Sequence, residues 1–474
     1  MAEERLTALG AWYLDAFPAV RQELGLSFGG FGPRGGPERD RRRSEAREWA
    51  AKIGEGPGMR LARRALRQAD DAQSAALAES VLTALMQSEL RESDREEVWR
   101  SIPPALAGEV APGQDPRAID QASRAAALAA GLLIAIGARP ELSEEGDEKA
   151  RAFMALEHFV RRLDAARATA QIASPMGPHA LHERMWDEFG RYIVPKELAE
   201  AALMRLEAEL LEAGRIAREI RPGRDIAEIL ADMSEDCPEG PQELMAAYEA
   251  AQAELLEAVG GDFPAVESPE WRLGPAHLHG LLPLAAYVMG GGKDKGRMLV
   301  FAGQGPMQAM HMRSRLVLTT AMGGLPGSHL LFSLAGRGDI VQRILLSPYT
   351  APGWSQYAVG YVAERLNRPK VMLLHALDAA QRAARAFADV ALHAELADEQ
   401  RILELLGRSQ GLPEEFQRAE LAAIWRQPLS GAGPFWLAEE LAREVRGRVA
   451  AGESPAAAHQ RILDRGGMPE EMEA

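Results

Sequence analysis
Apolar residues in this 474-residue chain recur mostly at every third or fourth position, the spacing that lines one face of a helix. Alanine, leucine, glutamate and arginine dominate between them, and all of these suit helices. Aromatic residues make up only 6%, so few stretches favour strands. Amphipathic helices are predicted at 77–88, 148–169, 195–218, 242–259, 372–396 and 399–408. One short strand is predicted at 297–302 (RMLVFA). The expected fold class is therefore all-α with minor β structure.

Breaks divide the pattern. A glycine- and proline-rich segment at 27–40 precedes Arg41, Arg42 and Arg43, which reads either as an anion site or as the solvated start of a helix. A second, acidic connection is expected at 140–147 (PELSEEGD). After Phe263 glycine, proline, histidine and aromatic residues concentrate and the helices shorten. We expect a helical N-terminal half over 1–220 and a C-terminal half over 221–474 that carries a central cleft, the two intertwined as one unit. No internal repeat is visible.

Composition then limits function. Hydrophobic residues at 47% and charged residues at 26% belong to a globular chain. With 54 Lys and Arg against 69 Asp and Glu, the formal charge is −15, which argues against a nucleic-acid partner. No apolar run is long enough to span a membrane. The first residues, MAEERLTALGAWYLDAF, are acidic where a secretory leader is basic, so the expected location is cytoplasmic. A single cysteine, Cys237, excludes an internal disulfide framework, and its acidic surroundings (SEDCPEG) disfavour a reactive thiolate.

Several motifs fall short of a site. GGGKDKG at 290–296 lacks the spacing of a phosphate loop. His179 with His182, and His277 with His279, are pairs without a third ligand nearby in sequence. No GxSxG elbow is present.

The stretch 319–364 (TTAMGGLPGSHLLFSLAGRGDIVQRILLSPYTAPGWSQYAVGYVAE) carries more information. Pro326-Gly327 with His329, and Gly353-Trp354 with Tyr357-Ala358, resemble the two hallmark motifs of bacterial domain-of-unknown-function family 885, HExxPGHH and EGWAxYAE. Arg385, Asp389 and His393 fit that family's R…DxGxH helix, and Glu420 with Pro428 fits a later element. The closing AAAHQRILDRGGMPEEM, Tyr13-Leu14 and Ile102-Pro103 extend the likeness along the chain. The resemblance implies a zincin-like helical body around a metal cleft, as in carboxypeptidase-type enzymes.

The departures fall on the chemistry. Met322-Gly323 stand where the family has His-Glu, Ser328 where it has the first His of a pair, and Pro352 and Val359 where it has glutamates. Ala423 and Ile424 replace a usual Arg-Tyr. Catalytic zinc needs about three N, O or S ligands, and hydrolysis needs a carboxylate base. Methionine, glycine and proline supply none of these, so no metal and no cofactor are expected.

A charged stripe remains. Asp378, Arg382, Arg385, Asp389 and His393 are spaced by four, three, four and four residues and share one helix face. Trp354, Tyr357 and Tyr361 make an aromatic stripe. Both stripes have plain readings, a solvated polar face and a packed core. The functional reading makes His393, Asp389 and His329 catalytic, with Arg385, Arg382, Trp354, Tyr357 and Tyr361 binding substrate. His393, oriented by Asp389, would be the acid/base, and Arg385 would hold a carboxylate. These residues are expected to converge on one cleft. Two function classes follow: metal-free chemistry on, or binding of, an amino-acid-like or peptide-like small molecule; or an inert pseudoenzyme serving a protein partner as scaffold or regulator. Intact metallopeptidase activity is the least supported.

Overall fold
The computed structural model describes residues 2–17, 20, 36–53, 57–70, 95–106, 148–169, 174–274, 284–289, 296–303, 306–335, 348–410 and 414–470, with single positions between 119 and 133 and at 344 and 346. The chain divides into two compact units. One comprises Met1–Ser174 with Pro275–Leu278 and Met289–Asp294; the other holds Pro175–Gly274, His279–Val288 and Lys295–Ala474.

In the first unit, α1 (Ala2–Ala16), α2 (Gly36–Ile53) and α3 (Pro57–Asp70) pack together, and α4 (Arg95–Leu106) lies on α5 (Glu148–Ala166). The α5 face that is buried carries Ala152, Phe153, Leu156, Phe159 and Leu163, the three-and-four spacing read from sequence. Arg41 and Arg42 sit on α2 and pair with Glu38, and Arg41 also with Glu45, on the same helix. That supports the helix-start reading of the basic cluster, because its charges are met locally. The segments predicted at 77–88, 140–147 and His277 with His279 lie outside the described residues, as does most of 290–296.

The second unit begins with α6 (Pro178–Phe189), α7 (Pro195–Ile220), α8 (Ile226–Ser234) and α9 (Gly240–Val259). A small sheet follows, made of β1 (Glu270–Leu273), β2 (Ala285–Val288) and β3 (Arg297–Val300). Its order is β1-β3-β2, with β3 central, parallel to β1 and antiparallel to β2; Arg297 faces Glu270 on one side and Val288 on the other. After a single helical turn at Pro306–Ala309 come α10 (Arg313–Gly323), α11 (Ser328–Ala335), α12 (Thr350–Leu366), α13 (Pro369–His393), α14 (Glu399–Gln410), α15 (Glu414–Arg426), α16 (Ala432–Ala450) and α17 (Pro455–Asp464). The fold is all-α, with this one sheet among the described residues. Helix α7 belongs to the second unit and packs lengthwise on α13. Among the described residues no helix is long and apolar enough to cross a membrane.

The centre of the second unit is the set α12, α13 and α16. Asn367 takes a left-handed conformation (φ 47°) at the end of α12, and Pro369 opens α13 at a position where its missing N–H costs nothing. The chain thereby turns back, which brings His375 of α13 against Gly360 of α12. Glycines set how closely the three helices approach. A Cβ on Gly353 would meet Leu437 at 2.7 Å, one on Gly433 would meet Tyr349 at 2.8 Å, and one on Gly431 would meet the Arg385 carbonyl oxygen at 2.6 Å. The first two contacts pair 353 with 437 and 349 with 433, so α12 and α16 run parallel.

Candidate functional site
Beyond the close crossing at Gly353 and Gly433, the residues facing inward are too small to fill the space. Gly360 on α12, Ala379 on α13, and Ala438 and Ala442 on α16 border a pocket of about 620 Å³, within the range of small-molecule sites. Phe435, Val445 and Val449 give α16 an apolar wall. The α12 wall carries Gln356, Tyr357, Tyr361, Glu364 and Arg365; the α13 wall carries His375 and Arg382, with Arg205 added from α7. Glu439 and Arg446 project from α16.

Most polar groups of the α12 wall are already engaged. Tyr361 donates its hydroxyl proton to Asp262 Oδ2 at 2.8 Å and accepts from Arg365. Tyr357 lies 2.5 Å from His459 Nε2, and His459 Nδ1 lies 2.6 Å from the Asp262 carbonyl oxygen. A carbonyl only accepts, so His459 donates from Nδ1 and accepts the hydrogen bond of the Tyr357 hydroxyl at Nε2. Burial pushes His459 down to about 4 and raises Tyr357 well above the usual phenol value. The ring of Phe263 stacks on His459 at 4.0 Å between centroids, packing against this network.

The α13 wall is different. Arg205 pairs with Glu209 at 2.7 Å and approaches Glu439 at 3.8 Å. Arg382 has neither a hydrogen bond nor an ion pair among the described residues, although Asp378 and Glu209 lie near enough to stabilise its charge. Burial lowers its pKa from the ordinary guanidinium value. His375 is 8% exposed, its Nδ1 is buried without a partner, and burial with the nearby Arg382 and Arg205 lowers its pKa to about 3.

The pocket therefore takes Tyr357, Tyr361 and Arg382 from the expected site, and the other expected members lie elsewhere. Trp354 is fully buried, donating from Nε1 to the Pro326 carbonyl at 2.9 Å. Asp389 is also fully buried; its carboxylate accepts from the backbone amides of Leu429 (3.0 Å), Gly431 (2.8 Å) and Ala432 (3.1 Å). His393 is 2% exposed, lies edge-on to Trp425, and donates from Nε2 to the Ile424 carbonyl at 3.3 Å. Burial raises the Asp389 pKa and lowers that of His393, each opposed by the charge of the other. Arg385 approaches Glu420 at 3.1 Å, without the alignment of a hydrogen bond. Asp378 pairs with Arg315 at 3.0 Å. The expected convergence on one cleft is thus corrected: a stripe about 80° wide at 3.6 residues per turn on a helix this enclosed meets several neighbours, and each takes part of it.

His329 sits apart, near the sheet. Its Nε2 is 2.7 Å from the Glu267 carbonyl oxygen, and its Nδ1 is 3.2 Å from the Tyr287 hydroxyl. Both ring nitrogens thus have protein partners, and burial lowers its pKa. Ser328 and Ser355 hydroxyls meet at 2.8 Å. Helix α10 ends at Gly323, where a Cβ would strike the Met298 methyl at 2.5 Å. Two hydroxyls and one engaged histidine do not fit a catalytic zinc. Among the described residues, no group of three His, Cys, Asp or Glu is placed to hold a metal ion. On α6, His179 pairs with exposed Glu183 and His182 with the Ile193 carbonyl.

Sequence reasoning missed His375, Glu364, Arg446 and Arg205. His375 continues the α13 stripe three residues before Asp378, a signal that was available. Arg205 comes from a helix 170 positions earlier (375 against 205), and no spacing rule links the two.

Residues 38–470 match the family described as "Bacterial protein of unknown function (DUF885)". The chain belongs to the DUF885 family. Two solved structures share this DUF885 fold. One, described as a putative lipoprotein of unknown function from Shewanella oneidensis, is 11% identical with a TM-score of 0.70, covering 99% of this chain and 98% of that one. The other, described as a putative lipoprotein from Colwellia psychrerythraea, is 13% identical with a TM-score of 0.68, covering 99% and 97%. At such identities the likeness is one of fold. No curated protein matches the chain.

Proposed function
We propose that this DUF885 chain binds a carboxylate-bearing, amino-acid-like or peptide-like small molecule in the pocket between α12, α13 and α16, without a metal. Arg382 carries the reading: a guanidinium on the wall of a pocket of about 620 Å³, with no hydrogen bond or ion pair among the described residues. A buried charge is costly without a partner, and a carboxylate satisfies a guanidinium fork in two hydrogen bonds. Glu364 and Glu439 offer places for an ammonium group, and the apolar α16 wall suits a side chain. The likeness to zincin-type peptidases, read from the 319–364 motifs, agrees with a peptide-like ligand. The hydrolysis which that likeness implies is taken as lost, because Met322, Gly323, Pro352 and Val359 supply neither ligands nor base. Binding is favoured over His393 chemistry because His393 and Asp389 are enclosed by protein.

Isothermal titration with amino acids, dipeptides and N-acetyl amino acids tests this. Saturable binding, unchanged by chelator and weakened about 10-fold or more by Arg382→Met, is the expected result. An affinity that Arg382→Met leaves unchanged, or that chelation abolishes, overturns the reading.

A further inference from the structure
The α13 wall presents a second polar group that no part of the family resemblance assigns. His375 lines the pocket, is more than nine-tenths buried, and has no hydrogen-bond partner at Nδ1 among the described residues. Its other edge is turned toward α12: a Cβ on Gly360 would lie 3.5 Å from Cε1 and 3.7 Å from Nε2. Because residue 360 is glycine, that edge is left uncovered beside the pocket.

The ring's tautomer follows from its surroundings. Arg382 and Arg205 repel a proton and burial disfavours charge, so the ring is neutral with one N–H. A proton on the enclosed Nδ1 would be an orphaned donor, which is costlier than an orphaned acceptor. The proton therefore sits on Nε2. Arg382 lies two turns further along α13, and helical side chains lean toward the N-terminus. Both residues line the pocket with Ala379 between them in sequence, and the Arg382 charge acts on the His375 ring.

We infer that His375 Nε2–H and the Arg382 guanidinium together form the anion-binding end of the pocket, one neutral and one charged donor for the two oxygens of a single carboxylate. This rests on the pocket being a carboxylate site and names the group that completes it. Glu209, Asp378 and Glu439 surround this end, which favours a monoanionic carboxylate over a doubly charged phosphate.

The test uses the full chain with Ala-Leu, its C-terminal amide and inorganic phosphate as probes. Ala-Leu is expected to bind, its amide and phosphate to bind at least about 10-fold more weakly, and His375→Leu to weaken Ala-Leu about 10-fold. If neither Ala-Leu nor any other carboxylate binds the native chain, the pocket reading itself fails. If Arg382→Met weakens binding and a folded His375→Leu does not, only the role of His375 is overturned. Nitrogen-15 NMR of labelled histidine gives an answer independent of any variant. A pyridine-type Nδ1 and a protonated Nε2 whose resonance moves with ligand support the assignment, and a protonated Nδ1 overturns it.

Discussion
Asp389 Oδ2 accepts the backbone N–H of Gly431 at 2.8 Å, so a carboxylate on α13 organises the turn that starts α16. Leu429 and Ala432 donate to the same side chain. These are charge-assisted bonds in a site without solvent, each typically contributing about 1.5–3 kcal/mol. Asp389→Asn places an amide donor against backbone donors. It is expected to lower stability by about 2 kcal/mol or more, measured by urea unfolding. An unchanged midpoint would show that the turn holds its shape without the charge.

Glycines at this crossing separate two effects. At position 431 a methyl group would press on the Arg385 carbonyl at 2.6 Å, and relief requires two helices to move. Gly431→Ala is expected to cost about 1–3 kcal/mol. Gly447 lies within α16 with open space around its Cα, so Gly447→Ala should stabilise by about 0.5–1 kcal/mol. Calorimetric melting of the pair checks both signs.

His459 makes stability depend on pH. Its folded pKa of about 4 lies below the ordinary 6.5, so below pH 6.5 the unfolded chain binds a proton that the folded chain refuses. Its contribution is complete above pH 6.5 and is lost as pH falls toward 4. The shift corresponds to roughly 3 kcal/mol. Urea midpoints of the native chain should fall more steeply across that interval than those of His459→Gln. Parallel profiles would assign the acid sensitivity to other groups.

Enclosure of His393 separates stability from binding. His393→Gln is expected to lower the melting temperature while leaving carboxylate affinity within about twofold, since the ring faces Trp425 and the Ile424 carbonyl. A tenfold loss of affinity with the fold intact would return His393 to the ligand's path.

Sequence alone determined the helical class and most helix positions, because a face repeating every three or four residues is a local property. The expected 195–218, 242–259 and 372–396 correspond to α7, α9 and α13, and 297–302 contains β3. It also determined the family, through motifs that survive at Pro326, His329, Trp354, Arg385 and Asp389. Spacing along a helix states which side chains share a face, but not what that face meets. Only the tertiary structure decided that Asp378 is taken by Arg315 from α10, Asp389 by amides from the turn before α16, and Arg385 by Glu420 from α15. Arg382 is the member left unpaired among the described residues, because the helices that cross tightly at Gly353 and Gly433 leave a gap beside Gly360, Ala379 and Ala442. That gap is a sum over three helices and their smallest side chains, which no local pattern contains.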